Sequence, residues 1–325
     1  MVEQSFRELV FQKELDNSKE FISGDLTGLN LITLINDLIF LSASVSPILN
    51  KKIHPICVMN SIKNLISDER RYPSRILLEF AVDYLFDFEF RLDDKSILDF
   101  AVKDGIGQTV FIGDLEDACQ SNNWTEAKLL IAKLYLVSDR SRAAMDVLVE
   151  IALQDVENNA LFCFHLLRAY QFQEVKEDNW VYVRCLFEYL SEKRLPRPHN
   201  LKNVDINKFK SEMIYKIEPT LFSAIIRLWE GDYVRDKGYK RELSSWIKLK
   251  NNQKSASSKI ISNNKNNIRN FKSYINVAEN LILKNKEKHN TALDLVNLES
   301  FRSLMDKSLG KKNNFFNSRI NELLI

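Results

Sequence analysis

The chain has 325 residues, 45% of them apolar, with only 8 Gly and 6 Pro. That apolar share supports a sizeable core, and so few turn-formers exclude a many-turned β sandwich or barrel in favour of helices joined by short loops. The net charge of +2 hides a split, because residues 241–325 carry 16 Lys+Arg against 7 Asp+Glu while residues 1–240 carry 30 against 37. A mildly acidic body with a basic tail is a pattern that can serve an acidic partner.

In chain order, residues 4–15 predict a short amphipathic helix, and SGDLTG (23–28) leads into a second helix over about 28–44. Leu31, Leu34, Ile35, Leu38 and Leu41 mark its inner face, and Ile32 and Ile39 widen it, so this helix should be well buried. Asn36 and Asp37 near the middle of the apolar run 29–49, and Pro47 at its end, argue against a membrane span. Pro55 fits the first turn of a third helix, with Ile56, Met59, Ile62 and Ile66 at helical spacing. Pro73 and Ser74 predict another start, followed by Ile76, Phe80, Tyr84 and Phe88.

The centre reads as successive helices of 12–15 residues with short polar connections, the pattern of helical hairpins. Asn123 with Glu126 resembles a capping pair, and Ser138 and Asp139 are candidates for the next cap. No fixed repeat period emerges. Residues 179–194 and 219–232 predict two further helices, separated by a break at LPRPHN (195–200), where two prolines in four residues stop a helix. From about 248 the chain turns rich in Asn, Lys and Ser, as a linker would. Ile268, Phe271, Ile275, Ala278 and Ile282 then form an apolar seam, which residues 291–309 could pair with.

The predicted architecture is therefore all-α: stacked antiparallel helical hairpins in an irregular array over 1–247, a basic linker at 248–267, and a C-terminal helical pair over 268–325. The four cysteines, Cys57, Cys119, Cys163 and Cys185, form no paired spacing and read as reduced and buried. With acids from position 3 and no apolar core run, the N-terminus does not read as a secretory signal, so the expected location is cytoplasmic.

Chemistry has few footholds. The glycine-rich DGIGQTVFIGD (104–114) places Val110 where a dinucleotide fingerprint needs a small residue, and no GK[ST] occurs, so Gly105, Gly107 and Gly113 read as a loop between helices. Glu79, Asp83 and Asp87 stack at four-residue spacing, but Arg75 and Arg91 extend the same row, which makes a solvated, partly self-paired face. His54 and Cys57 lie three apart at a helix start. Cys163 and His165 lie two apart and so face different sides of one helix, which does not make the two converging pairs of a zinc site. His165, inside LFCFHLLRAYQF (161–172), is either a satisfied core histidine or a functional neutral imidazole. Residues 248–290 carry ten Lys+Arg and two acids, with Phe271 and Tyr274 interleaved, a candidate surface for nucleic acid or another acidic partner. No nucleophile motif occurs, and no cofactor is named by the sequence.

SNNWTEAKLLIAKL (121–134), the later LFCFHLLRAYQF and the early His-Pro at 54–55 together resemble all-helical bacterial proteins related to questin oxidase, over about residues 50–190. The resemblance implies an oxygenating, oxidoreductase-type activity with roles for His54 and His165 in a shared pocket. The richer histidine set of that group is not present, since only His54, His165, His199 and His289 occur. The leading expectation from the residues themselves is a helical interaction or scaffold protein, with a protein partner received on the 268–282 seam. The helical oxidoreductase and nucleic-acid binding through the basic segment are the alternatives.

Overall fold

The computed structural model describes residues 4–48, 53–107, 109–191, 193–200, 204–206, 217–252, 271–284, 287–307 and 313–324. Among these the fold is all-α, as expected. The single β feature is an isolated antiparallel bridge between Val45 and Phe90. No helix of the described residues is long and apolar enough to cross a membrane.

The helices run in order as α1 (Phe6–Phe11), α2 (Leu15–Ser23), α3 (Gly28–Ala43), α4 (Pro55–Ile66), α5 (Arg75–Leu85), α6 (Asp94–Asp104), α7 (Ile112–Gln120), α8 (Trp124–Val137), α9 (Ala143–Ala152), α10 (Val156–Phe172) and α11 (Asn179–Ser191). After the proline-rich break come α12 (Pro219–Glu230), α13 (Asp236–Asn252), α14 (Phe271–Lys284), α15 (Lys288–Lys307) and α16 (Asn313–Leu323). Sequence neighbours pair at several places, α1 with α2, α7 with α8, and α14 with α15.

The centre is built from distant segments. Helix α4 packs on α10, α3 covers α4, α12 lies on α10, and α15 packs on both α4 and α12. The reason is composition: nearly every side of α4 is buried, including Ile56, Val58, Leu65 and Ile66 with no exposed surface. Each such aliphatic side chain contributes about 1.5–3 kcal/mol on burial. The C-terminal helices share this core, for Leu295, Val296 and Leu298 are fully buried.

Several boundaries differ from expectation. Residues 4–15 split into α1 and the start of α2 because the chain turns at Lys13, where φ is +62°. Ser138 closes α8 instead of opening the next helix, and Asp139 and Arg140 follow with φ of +54° and +55°, so α9 starts at Ala143. Asn123 does cap α8, accepting the Glu126 N–H at 3.4 Å, while the Glu126 carboxylate returns to the Asn123 side-chain amide. Gly105, with φ +96°, ends α6 and opens the expected loop; Gly113 falls inside α7. Residues 248–252 belong to α13, so the helix reaches past the expected linker boundary; residues 253–267 of that linker lie outside the described residues.

Candidate functional site

Helix α4 begins with an unusual cap. His54 is the N-cap, its Nδ1 accepts the Ile56 N–H at 3.2 Å, and Pro55 occupies the first turn as its spacing predicted. Accepting at Nδ1 leaves the ring proton on Nε2, which lies 3.7 Å from Cys185 Sγ on α11. Burial, aided by the Arg91 guanidinium, lowers the His54 pKa to about 3, so the ring is a neutral donor. Arg91 itself ties down the end of α3, donating to the Ala43 carbonyl at 2.8 Å and pairing with Asp94 at 3.0 Å.

His54, Cys57 and Cys185 line a mostly apolar cavity of about 280 Å³, together with Ile48, Ile53, Leu161 and Phe162. Glu188 and Tyr189 from the end of α11, and Lys193 just beyond it, also line it. Burial raises the thiol pKa of Cys57, and takes that of Cys185 to about 12, so both are protonated near neutrality. All four cysteines are free and buried, as expected. Among the described residues no group of three or more His, Cys, Asp or Glu side chains is arranged to hold a metal ion.

His165 occupies a separate setting, for it is not among the residues that line the His54 cavity. It is fully buried on α10, 2.9 Å from Asn60 Nδ2 on α4, and its Nε2 has no hydrogen-bond partner among the described residues. Burial lowers its pKa to about 3, with Glu299 opposing and Arg227 and Lys63 reinforcing. Glu299 on α15 receives Arg227 through both guanidinium nitrogens, at 2.7 and 3.0 Å, and Asn64 at 2.8 Å. Burial alone would raise the Glu299 carboxyl, but the Arg227 pair overrides it and lowers the pKa to about 2. Helix α4 thus carries His54 at its head, on the cavity, and meets His165 further along, through Asn60.

The other two histidines close local contacts, His199 with Glu242 at 2.6 Å and His289 with the Tyr84 hydroxyl at 3.3 Å. The carboxylate row needs correction. Helix α5 ends at Leu85, so Asp87 and Arg91 leave its face. Asp83 pairs with Lys19 at 2.7 Å, Asp87 with Lys288 at 2.5 Å, and Arg75 donates to the Ser23 carbonyl at 2.9 Å, so the row ties helices together instead of pairing with itself.

The seam of α14 is also used internally. Ile275 and Ala278 of the seam are buried and Ile282 is half-buried, packed against the chain's own helices. Ile268 and part of the basic stretch 248–290, residues 253–270 and 285–286, lie outside the described residues.

An apolar surface that the sequence reading did not single out lies elsewhere. Helix α6 buries only Ala101 completely. Within residues 92–111, Leu92 is 85% exposed, Phe100 59% and Phe111 66%, and Val102 and Ile106 are exposed as well. Searches of family models, curated proteins and solved structures found no match to this chain.

Proposed function

We propose that the protein is a helical interaction module that receives a partner on α6 and its flanking loops. The observation that carries this reading is the concentration of exposed large apolar side chains between Leu92 and Phe111, on a helix with one fully buried residue. Isolated exposed apolar residues are ordinary; here five of them, Leu92, Phe100, Val102, Ile106 and Phe111, fall within twenty residues. Aromatic anchors such as Phe100 and Phe111 are the kind of side chain that dominates interface energetics. Exposed charges, Asp93, Lys95, Asp99, Lys103 and Asp104, are interleaved along the same stretch, as at the edges of interfaces.

The oxidoreductase reading called for His54 and His165 on one cavity, and only His54 lines the cavity at the head of α4. A photo-crosslinking residue placed at position 100 in cells tests the proposal. It should give a discrete adduct that is lost when Phe111→Asp is added, while the same probe at Tyr72, 80% exposed and outside this stretch, gives none. Equal labelling from positions 72 and 100, or no adduct at 100, would sink the reading.

A further inference from the structure

We infer that the cavity at the head of α4 binds a small planar aromatic monocarboxylate, its ring against the Phe162–Tyr189 wall and its carboxylate on Lys193. The inference is independent of the α6 surface.

Size comes first. An apolar cavity of about 150 Å³ holds benzene. At about 280 Å³ the present cavity suits a two-ring body. Its wall is flat and aromatic: the His54 and Phe162 rings meet edge to face with centroids 4.8 Å apart, and Phe162 stacks on Tyr189 at 3.9 Å and 20°. With Phe162 and the Lys193 ammonium on the two faces of Tyr189, Tyr189 meets a planar ring edge-on.

Charge selects the head group. Three charged side chains line the cavity, Arg91, Glu188 and Lys193. Arg91 is consumed by Asp94 and the Ala43 and Val45 carbonyls, and Glu188 pairs with Arg184 at 2.6 Å and Lys128 at 3.5 Å. Lys193 has no carboxylate in ion-pair reach among the described residues. Its Nζ donates to Asn159 Oδ1 at 2.7 Å and sits 3.5 Å above the Tyr189 ring centroid. An ammonium has three donors, and Asn159 takes one. The unspent charge at the cavity is therefore positive, and the His54 Nε2–H adds a neutral donor.

Burial lowers Lys193 to about 8, with Cys163 and Asp155 opposing. Around it His54 stays neutral, the Cys57, Cys163 and Cys185 thiols stay protonated with pKa raised by burial, and Arg91 and Glu188 are held in their pairs. Between pH 7 and 9.5 the free site thus loses its cation at Lys193. A carboxylate ligand should bind more weakly as pH rises through that range, and a neutral analogue should not.

The test is calorimetric titration of the full chain with 2-naphthoate and with 2-naphthylmethanol. The carboxylate is expected to bind about tenfold more tightly at pH 7, the value of one partly buried ion pair. Lys193→Met should equalise the two, and raising the pH to 9.5 should shrink the preference. Leu161→Trp, which fills the cavity, should abolish both; if that variant fails to fold, the Lys193→Met and pH arms decide. Equal affinities in the wild type, a naphthoate affinity indifferent to Lys193→Met, or no binding of either probe would overturn the inference.

Discussion

Asn60 Nδ2 and His165 Nδ1 lie 2.9 Å apart, 105 residues apart in sequence and with both side chains fully buried. This contact joins α4 to α10 at the centre of the core, and it gives His165 a structural role that its own segment does not reveal.

Asn60→Leu should therefore cost more than the loss of one hydrogen bond. It strands the imidazole nitrogen in an apolar setting, at about 1–3 kcal/mol. Urea denaturation would show this as a lower midpoint with an unchanged slope. An unchanged midpoint would mean that the bond carries nothing.

Acid should unfold the protein early. His165 and His54 are held near pKa 3 in the folded chain against 6.5 as the ordinary value. Between those limits the unfolded chain binds more protons, so stability falls as pH drops from about 6.5 toward 3. Each fully linked proton gives a slope of about 1.4 kcal/mol per pH unit. Glu299, lowered to about 2 from 4.5, adds a loss of the same sign at lower pH, beginning as pH falls through 4.5. Denaturation midpoints at pH 7, 6 and 5 should fall steadily in the wild type and less steeply in His165→Gln. Parallel profiles for the two proteins would contradict the assignment.

The Arg227–Glu299 pair should behave as a unit. Glu299 is 1% exposed, so Glu299→Gln leaves a largely buried guanidinium without its carboxylate, and removing one member of such a pair costs about 3–5 kcal/mol. Arg227→Met combined with Glu299→Leu should recover most of that loss, because the desolvation of both charges disappears along with their attraction. A thermal-denaturation cycle measures the coupling. Additive single effects would show that the pair is not a unit.

Much of the fold was legible in the residues, since apolar spacing and proline and cap positions locate α3, α4, α5, α8, α10, α11 and α12 within a few positions. These are local signals, and a helix start such as Ser74 or Pro55 is decided within one turn of itself. Breaks that depend on a left-handed residue, as at Lys13 and at Asp139–Arg140, were not legible, because no glycine marks them and other residues adopt φ above +50° only rarely.

The candidate sites divide the same way. That His165 sits on a core helix and that His54 stands at a helix start could be read from the residues, since periodicity and the following proline are properties of the segment. What those histidines meet comes from the packing of distant segments. Cys185 reaches His54 from 131 residues away, Asn60 reaches His165, and Glu299 and Arg227 close the charge network from α15 and α12. Tertiary packing also left Phe100 and Phe111 in solvent while burying the α14 seam. Helical spacing states which side chains share a face, but which faces find a partner inside the chain depends on the docking of helices far apart in sequence.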